Sequence, residues 1–281
     1  MYVFIRSVLL LLLAATGRTL VAETDDLNTQ LVLSTIKVSH PDSTGTAFVL
    51  VRQSPNDPKK TQFVLVTAGH VLSRIKDDEA TLHLRKQESG GRYSKLPVKI
   101  KLRHDGKALW TRHPTADVAA MYVSLPPEAS VPGVPLALLA SDDDLRKYDV
   151  HPGDIIRGVG FPHPNQFEAN EAGFPLVRMG CIASYPLLPT KETKTFFIDL
   201  NTFEGDSGAP VYLLEANRLS KGNVHEGQVQ LILGLVLGQQ FLDEEIKSIY
   251  QVEKFRHCMG LGIVVHATAI HETVDLLPRN P

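Results

Sequence analysis

The sequence predicts an all-β protein built as two units, and three observations carry that expectation. Short apolar runs rich in β-branched residues alternate with turn residues along most of the 281-residue chain. The runs fall into two groups of about six each, as two barrels or sandwiches would require. A proline-bearing stretch separates the groups.

In chain order, the first segment differs from the rest. Arg6 precedes an apolar run from Val8 to Ala15, and small residues follow. The run is too short to span a bilayer comfortably and reads as an export signal cleaved after Ala22. The first strand group, "LVLSTIKVSH", "GTAFVLVRQ", "QFVLVTAGHV", "ATLHLRKQ", "LPVKIKLRH" and "DVAAMYVSL", ends before residue 125. Its basic positions between Arg85 and Arg103 are expected to coat an exposed strand face. Pro126, Pro127, Pro132 and Pro135 mark the connection. The second group is "GDIIRGVGFP", "FPLVRMGCIAS", "KTFFIDLN", "APVYLLEA", "VQLILGLVLG" and "GLGIVVHA". Ile270, Val274 and Leu277 then repeat at helical spacing, predicting a short packing helix. The units are placed at 23–140 and 141–281.

Composition narrows the function classes. With 43% hydrophobic and 21% charged residues the chain is globular. A formal net charge of -2 gives no reason to expect nucleic acid or an anionic membrane as partner. Cys181 and Cys258 are too few for a structural zinc site and are not expected to pair. "HETVD" at 271–275 begins like a zinc-binding H-E-x-x-H helix, but Asp275 stands where the second histidine is needed. No metal or cofactor is expected. Trp110 reads as packing, and His151 and Asp154 as a turn entering the second unit.

Candidate chemistry centres on "FEGDSGAPVY", residues 203–212, where Ser207 sits between turn-prone residues. Such a loop can expose a nucleophile and aim the N–H groups of Gly205 and Ser207 at one point; equally, it can be a polar hairpin turn. "LVTAGHVL" places His70 after an apolar strand, and "HPTADVAAMYV" sets Asp117 before a buried-looking one. Each also has a plain structural explanation, a satisfied strand-end histidine and a turn aspartate.

Together, in the order His, Asp, Ser, these stretches resemble the chymotrypsin-fold serine peptidases, most closely the bacterial-type high-temperature-requirement branch. "GTAFVL", "VTAGHV", "ADVAAMYV", "GDIIRGVGFPHP", "FEGDSGAP" and "GLGIVVHA" carry the likeness over roughly residues 30–275. The resemblance implies two six-stranded antiparallel β-barrels with the site between them. His70 is then the general base, Asp117 its orienting acid and Ser207 the nucleophile, with Gly205 and Ser207 amides as the oxyanion hole. The specificity pocket falls to Asn201, Thr202, Leu237, Gly238, Gln239 and Gly262. The neutral Asn201 at its base disfavours cleavage after Arg or Lys. The chain departs from the family at Val71 and Ala209. It also lacks an activation segment, which leaves Asp206 without an ammonium partner and free to cap its loop. No segment after residue 281 supplies a PDZ-type domain, so regulation of that kind is not expected. The implied function is hydrolysis of exported or extracellular polypeptides, with an inactive binding protein or an esterase on the same fold as alternatives.

Overall fold

The computed structural model describes residues 26–54 and 61–278, so the predicted leader at 1–22 lies outside the described residues. After α1 (Leu27–Ser34) come β1 (Thr35–His40), β2 (Ser43–Gln53), β3 (Thr61–Ala68), one turn of helix α2 (Gly69–Ser73), β4 (Glu79–Gln87) and β5 (Tyr93–Lys101). The short strands β6 (Arg103–His104), β7 (Lys107–Ala108) and β8 (Thr111–Arg112) lead to β9 (Val118–Val123) and β10 (Val134–Pro135). Then follow α3 (Asp142–Lys147), β11 (Ile155–Gly160), β12 (Leu176–Ile182), α4 (Thr190–Thr193) and β13 (Thr195–Asp199). The chain ends in β14 (Pro210–Ser220), β15 (Asn223–Lys247), β16 (Val252–His266) and α5 (Ala267–Asp275). It is an all-β protein of two β-rich units with a short C-terminal helix.

The second unit closes as a six-stranded antiparallel barrel, β11-β12-β13-β16-β15-β14, with β14 returning to β11. The first is an eight-stranded sheet in the order β5-β4-β1-β2-β3-β9-β8, with β10 parallel to β2, rather than a closed ring of six. Two strands beyond the predicted six account for the difference, β8 beside β9 and β10 from the proline-bearing connection. Just before β1 begins, Ala129 bridges Lys86 of β4 and Val134 pairs with Leu50 of β2. The connection thus takes β1's place between its two neighbours instead of merely joining the units.

Burial follows the residue pattern. On β5, Leu96, Val98 and Ile100 turn inward while Lys95, Lys99 and Lys101 are exposed, the period-two alternation of a half-buried strand. β9 instead buries four consecutive residues, Val118 to Met121, as an interior strand must. In α5, Ile270, Val274 and Leu277 are buried as their spacing predicts. The helix also ties back to the first unit, because Arg52 donates to the Val274 carbonyl at 3.1 Å.

Two sequence expectations are corrected. The opening "LVL" belongs to a helix, not a strand. Asp26 caps α1 by accepting from the amides of Asn28 (2.7 Å) and Thr29 (3.2 Å), and Leu27 and Leu31 bury one face at i, i+4 spacing. Arg85 is also not part of an exposed basic face: it is fully buried. Its guanidinium donates to the carbonyls of Leu33 and Thr35, both at 2.8 Å, where α1 leaves carbonyls without helical partners. The Phe174 ring lies 4.7 Å beneath it. Burial lowers its pKa to about 10.

Arg85→Met should therefore cost about 2–4 kcal/mol, because buried carbonyls lose their donor. Urea unfolding checks this, with Lys99→Met on the exposed face of β5 expected to be near neutral. A second expectation concerns acid. Burial lowers the pKa of His266 to about 4, and burial together with the nearby Lys37 charge does the same for His83. Unfolded histidines titrate near 6.5, so the unfolded chain takes up protons first as pH falls. The stability associated with these neutral rings is complete above about pH 6.5 and declines toward pH 4. Urea midpoints between pH 7.5 and 4.5 should fall, and His266→Gln should flatten that slope.

Candidate active site

Three separate elements bring the predicted residues to the junction of the units. β3 is apolar up to Ala68, and α2 then turns the chain so that His70 faces the junction. Asp117 immediately precedes β9, whose first residue Val118 pairs with Ala68. The Gly69 amide donates to the Asp117 carbonyl at 3.0 Å, fixing the two backbones together. As a result His70 Nδ1 lies 2.5 Å from Asp117 Oδ2. With the Nδ1 proton on that bond, Nε2 is left as an acceptor. Burial pushes the Asp117 carboxyl up, but the hydrogen bond and charge of His70, joined by Arg112, hold it below its ordinary value.

Ser207 is carried by the loop between β13 and β14. The loop is sewn to the first unit mainly through Thr46 of β2. The Thr46 amide donates to the Ser207 carbonyl (2.9 Å), and its hydroxyl donates to the Gly205 carbonyl (2.7 Å). That hydroxyl also accepts from the Phe161 amide at 3.2 Å. Gly205 and Gly208 have φ of 95° and 93°, values that glycine adopts without strain. At Gly208 a side chain is also impossible: its first carbon would lie 1.9 Å from the Thr46 carbonyl oxygen. The glycines thus let the serine loop press against the strand end that leads into His70.

Among the described residues, the amides of Gly205 and Ser207 donate to no protein acceptor, leaving both available to a ligand oxygen. The Ser207 hydroxyl is oriented differently from that of the expected triad. Ser207 Oγ donates to the Leu237 carbonyl at 3.0 Å, with no hydrogen bond to His70. The histidine and aspartate are therefore joined while the serine hydroxyl is turned aside.

Asp206 has a partner that the sequence reading did not find. It is fully buried, and its Oδ2 accepts from the Phe203 amide at 2.7 Å, the expected loop cap. Its Oδ1 receives Arg178 of β12 at 2.5 Å, so a cation does balance it. Burial raises the Asp206 carboxyl above its ordinary value, against the opposing pull of Arg178. Arg178 also donates to the Asn201 carbonyl at 2.8 Å. Arg112 is the second cation missed, its guanidinium 3.0 Å from Asp117 Oδ1. Arg178 is 28 residues from Asp206, and Arg112, though close to Asp117 in sequence, forms no recognisable motif with it.

The predicted pocket residues are partly assembled. The buried Thr202 hydroxyl donates to the Gly238 carbonyl at 3.1 Å, and Gln239 pairs with Gly262 across β15 and β16. Asn201 is exposed instead of forming a buried floor. Beside the His70–Asp117 pair opens a cleft of about 640 Å³, lined among others by His113, Asp117, Thr193, Leu237 and His266.

The remaining candidates lie elsewhere. Cys181 and Cys258 are free thiols on β12 and β16, and Cys258 donates to the Gln239 side chain at 3.1 Å. His271 pairs with Asp275 at 3.0 Å. Trp110 packs against the core, and the His151 amide donates to Asp154 at 2.9 Å in the turn before β11. Among the described residues no cluster of three His, Cys, Asp or Glu could hold a metal, and no helix is long and apolar enough to cross a membrane.

Arg178→Gln should leave Asp206 buried without its cation. Losing one partner of a buried pair costs about 3–5 kcal/mol, and the lower figure suits this partly accessible arginine. The folded pKa of Asp206 already exceeds its unfolded value, so the folded state binds that proton more tightly. Stability of the variant should therefore recover partly as pH falls from 7.5 toward 5. Denaturation midpoints at the two pH values check the sign.

No family model matches the chain, and no curated protein matches it. Among solved structures it is similar to a serine-to-alanine mutant of Rv3671c from M. tuberculosis H37Rv in an inactive form. The identity is 16%, over 90% of this chain and 91% of that one, with a TM-score of 0.45. A second structure, of the Rv3671c protease in an inactive form, matches at 17% identity over 89% and 91%, also with a TM-score of 0.45. The protease Anisep from Arthrobacter nicotinovorans matches at 14% identity over 88% of this chain and 96% of that one, with a TM-score of 0.48.

Proposed function

We propose that the chain is a serine-type endopeptidase in which Ser207, His70 and Asp117 act as nucleophile, base and orienting acid. The observation that carries this reading is the His70–Asp117 bond at 2.5 Å beside a serine loop whose two amides are unpaired. In the proposed reaction Ser207 Oγ attacks the scissile carbonyl carbon and its proton passes to His70 Nε2. The carbonyl oxygen becomes an oxyanion held by the Gly205 and Ser207 amides. His70 then protonates the leaving amine as the C–N bond breaks, and water releases the acyl group by the same steps. Asp117 keeps its negative charge throughout, which the Arg112 guanidinium supports.

Polypeptides are the proposed substrates, with no cofactor required. The side chain before the cut is uncharged and small to medium, because Asn201 and Thr202 are both neutral and Arg178 already places a cation on the Asn201 carbonyl. Export by the leader at 1–22 belongs to the same reading; N-terminal sequencing of the mature protein tests it.

One observation favours a second reading, a binding protein that retains the fold without turnover: the Ser207 hydroxyl is bonded to Leu237 and not to His70. A fluorophosphonate probe separates the two. Labelling at Ser207, casein cleavage by the intact chain and loss of both in Ser207→Ala are the expected outcomes. Asp117→Asn should remain folded and lose about 10⁴-fold in kcat, as when the orienting acid of such a triad is neutralised. Unlabelled, inactive protein with a native unfolding transition would favour the binding protein. Labelling and ester hydrolysis without peptide cleavage would favour the esterase.

A further inference from the structure

The barrel accounts for only part of β15 and β16. Pairing of β14 with β15 stops at Leu235, and pairing of β13 with β16 starts at Leu261. Beyond those rungs β15 and β16 pair only with one another, out to Lys247 opposite Val252. The result is a two-stranded arm with exposed backbone edges. Arms of this kind are marginal in water without a partner. The arm is also two-faced. Phe241, Asp243 and Glu245 share one face with Arg256 and Lys254, and Arg256 binds Asp243 at 2.7 Å. Leu242, Ile246 and Phe255, which are 57%, 51% and 41% exposed, lie on the other face together with Glu244, Glu253 and His257, and His257 pairs with Glu244 at 3.0 Å.

The free edge of β15 begins at the nucleophile. The Leu237 carbonyl that accepts from Ser207 is its first residue, and no proline interrupts the stretch to Lys247. An unpaired strand edge offers a ladder to any extended chain. A second copy is a poor occupant. Two β15 edges running antiparallel would set the consecutive Asp243, Glu244 and Glu245 against the same carboxylates, and like charges across a rung are destabilising. A polypeptide already held at Ser207 meets no such conflict.

We propose that the edge of β15 beyond Gln239 is an extended binding site for the polypeptide segment preceding the cut, taken up by strand addition. This rests on the peptidase reading. Eight residues from Gln240 to Lys247 offer roughly 26 Å of edge. The favoured segment is extended, free of proline, uncharged or basic, and carries alternate apolar side chains that cover the Leu242, Ile246 and Phe255 face.

The test is a series of peptides sharing one cleaved sequence and extended from three to eleven residues before the cut. In the intact chain kcat/KM should rise with length by about tenfold or more, the scale of one modest set of added contacts. In a variant whose residues 242–257 are replaced by a two-residue Asn-Gly turn at the Phe241–Cys258 rung, the ratio of long- to short-peptide kcat/KM should approach one. N-methylation of alternate amides in the distal half of the long peptide should have the same effect. A flat series, or a rise that survives loss of the arm, overturns the proposal. Binding of the same peptides to Ser207→Ala, read by fluorescence anisotropy, separates the two readings. Length-dependent affinity without turnover keeps strand addition and removes the peptidase; turnover without length dependence does the reverse. Arm-dependent dimerisation in sedimentation, or arm-dependent binding to vesicles of phosphatidylcholine and phosphatidylserine through Ile249 and Tyr250, without length dependence, would assign the arm elsewhere.

Discussion

The positioning of the serine depends on one residue of the first unit, Thr46. Its amide, hydroxyl and carbonyl are all engaged within one strand position: on Ser207, on Gly205 and Phe161, and on the Thr67 hydroxyl at 2.6 Å. Each buried hydrogen bond contributes only about 1 kcal/mol net, so their sum is modest. Their value is geometric. Holding the Gly205 and Ser207 carbonyls fixes the two peptide planes that follow them, whose Asp206 and Gly208 amides donate to Phe203 and Val236, and so fixes the backbone that carries the Gly205 and Ser207 amides of the proposed chemistry. A valine at this position would fill similar space yet strand the Gly205 carbonyl and the Phe161 amide, which is why volume alone does not describe the site.

Buried charge is handled in two ways. Arg178–Asp206 and Arg218–Asp154 are ion pairs, each at 2.5 Å, and both join loops to barrel strands. Arg85 has no carboxylate partner and is satisfied by carbonyls and an aromatic face. Pairs of the first kind are seldom net stabilising against apolar residues of equal volume, whereas removing one member is costly. They therefore act more as locks on conformation than as sources of stability. Arg178 locks the turn before Ser207; Arg218 also donates to the Tyr148 and Asp149 carbonyls, fixing the entry to the second unit.

What was legible in the sequence were features set by local pattern. The alternation on β5, the continuous burial on β9 and the i, i+4 spacing in α5 each reflect one element against one core. His70 and Asp117 were legible because each ends or begins an apolar strand, and their mutual bond follows from the pairing of β3 with β9. Arg85 was not, since its role depends on a helix end brought to it from 50 residues away. Arg112 and Arg178 escaped because a cation on a strand looks alike whether it faces solvent or a carboxylate. The first sheet's two further strands were hidden because β8 is only 2 residues long and because the proline connection has no strand pattern of its own and pairs only beyond the start of β1. The arm was hidden differently. Its residues read as ordinary strand, and sequence gives no measure of where a neighbouring strand stops.

The Leu237 carbonyl links the turned-aside serine to the open edge of β15. It now accepts from Ser207 Oγ, and it is also the first acceptor that an extended peptide reaching the cut would meet. One carbonyl can accept twice, but a peptide amide lying along β15 competes for the position the hydroxyl occupies. In the proposed reaction a peptide amide taking that acceptor would release the hydroxyl toward His70 Nε2, at a cost of about 0.5–1.5 kcal/mol for the lost bond. Against the 8 kcal/mol or more by which enzymes commonly lower barriers, roughly the smaller end of the known range, that cost is minor. The orientation of Ser207 is thus compatible with the proposed peptidase reading, under which alignment of the hydroxyl would depend on occupation of the strand edge. Under that proposal an empty edge leaves the serine bonded to the barrel, and an occupied one would supply both the substrate and the reason for the hydroxyl to turn.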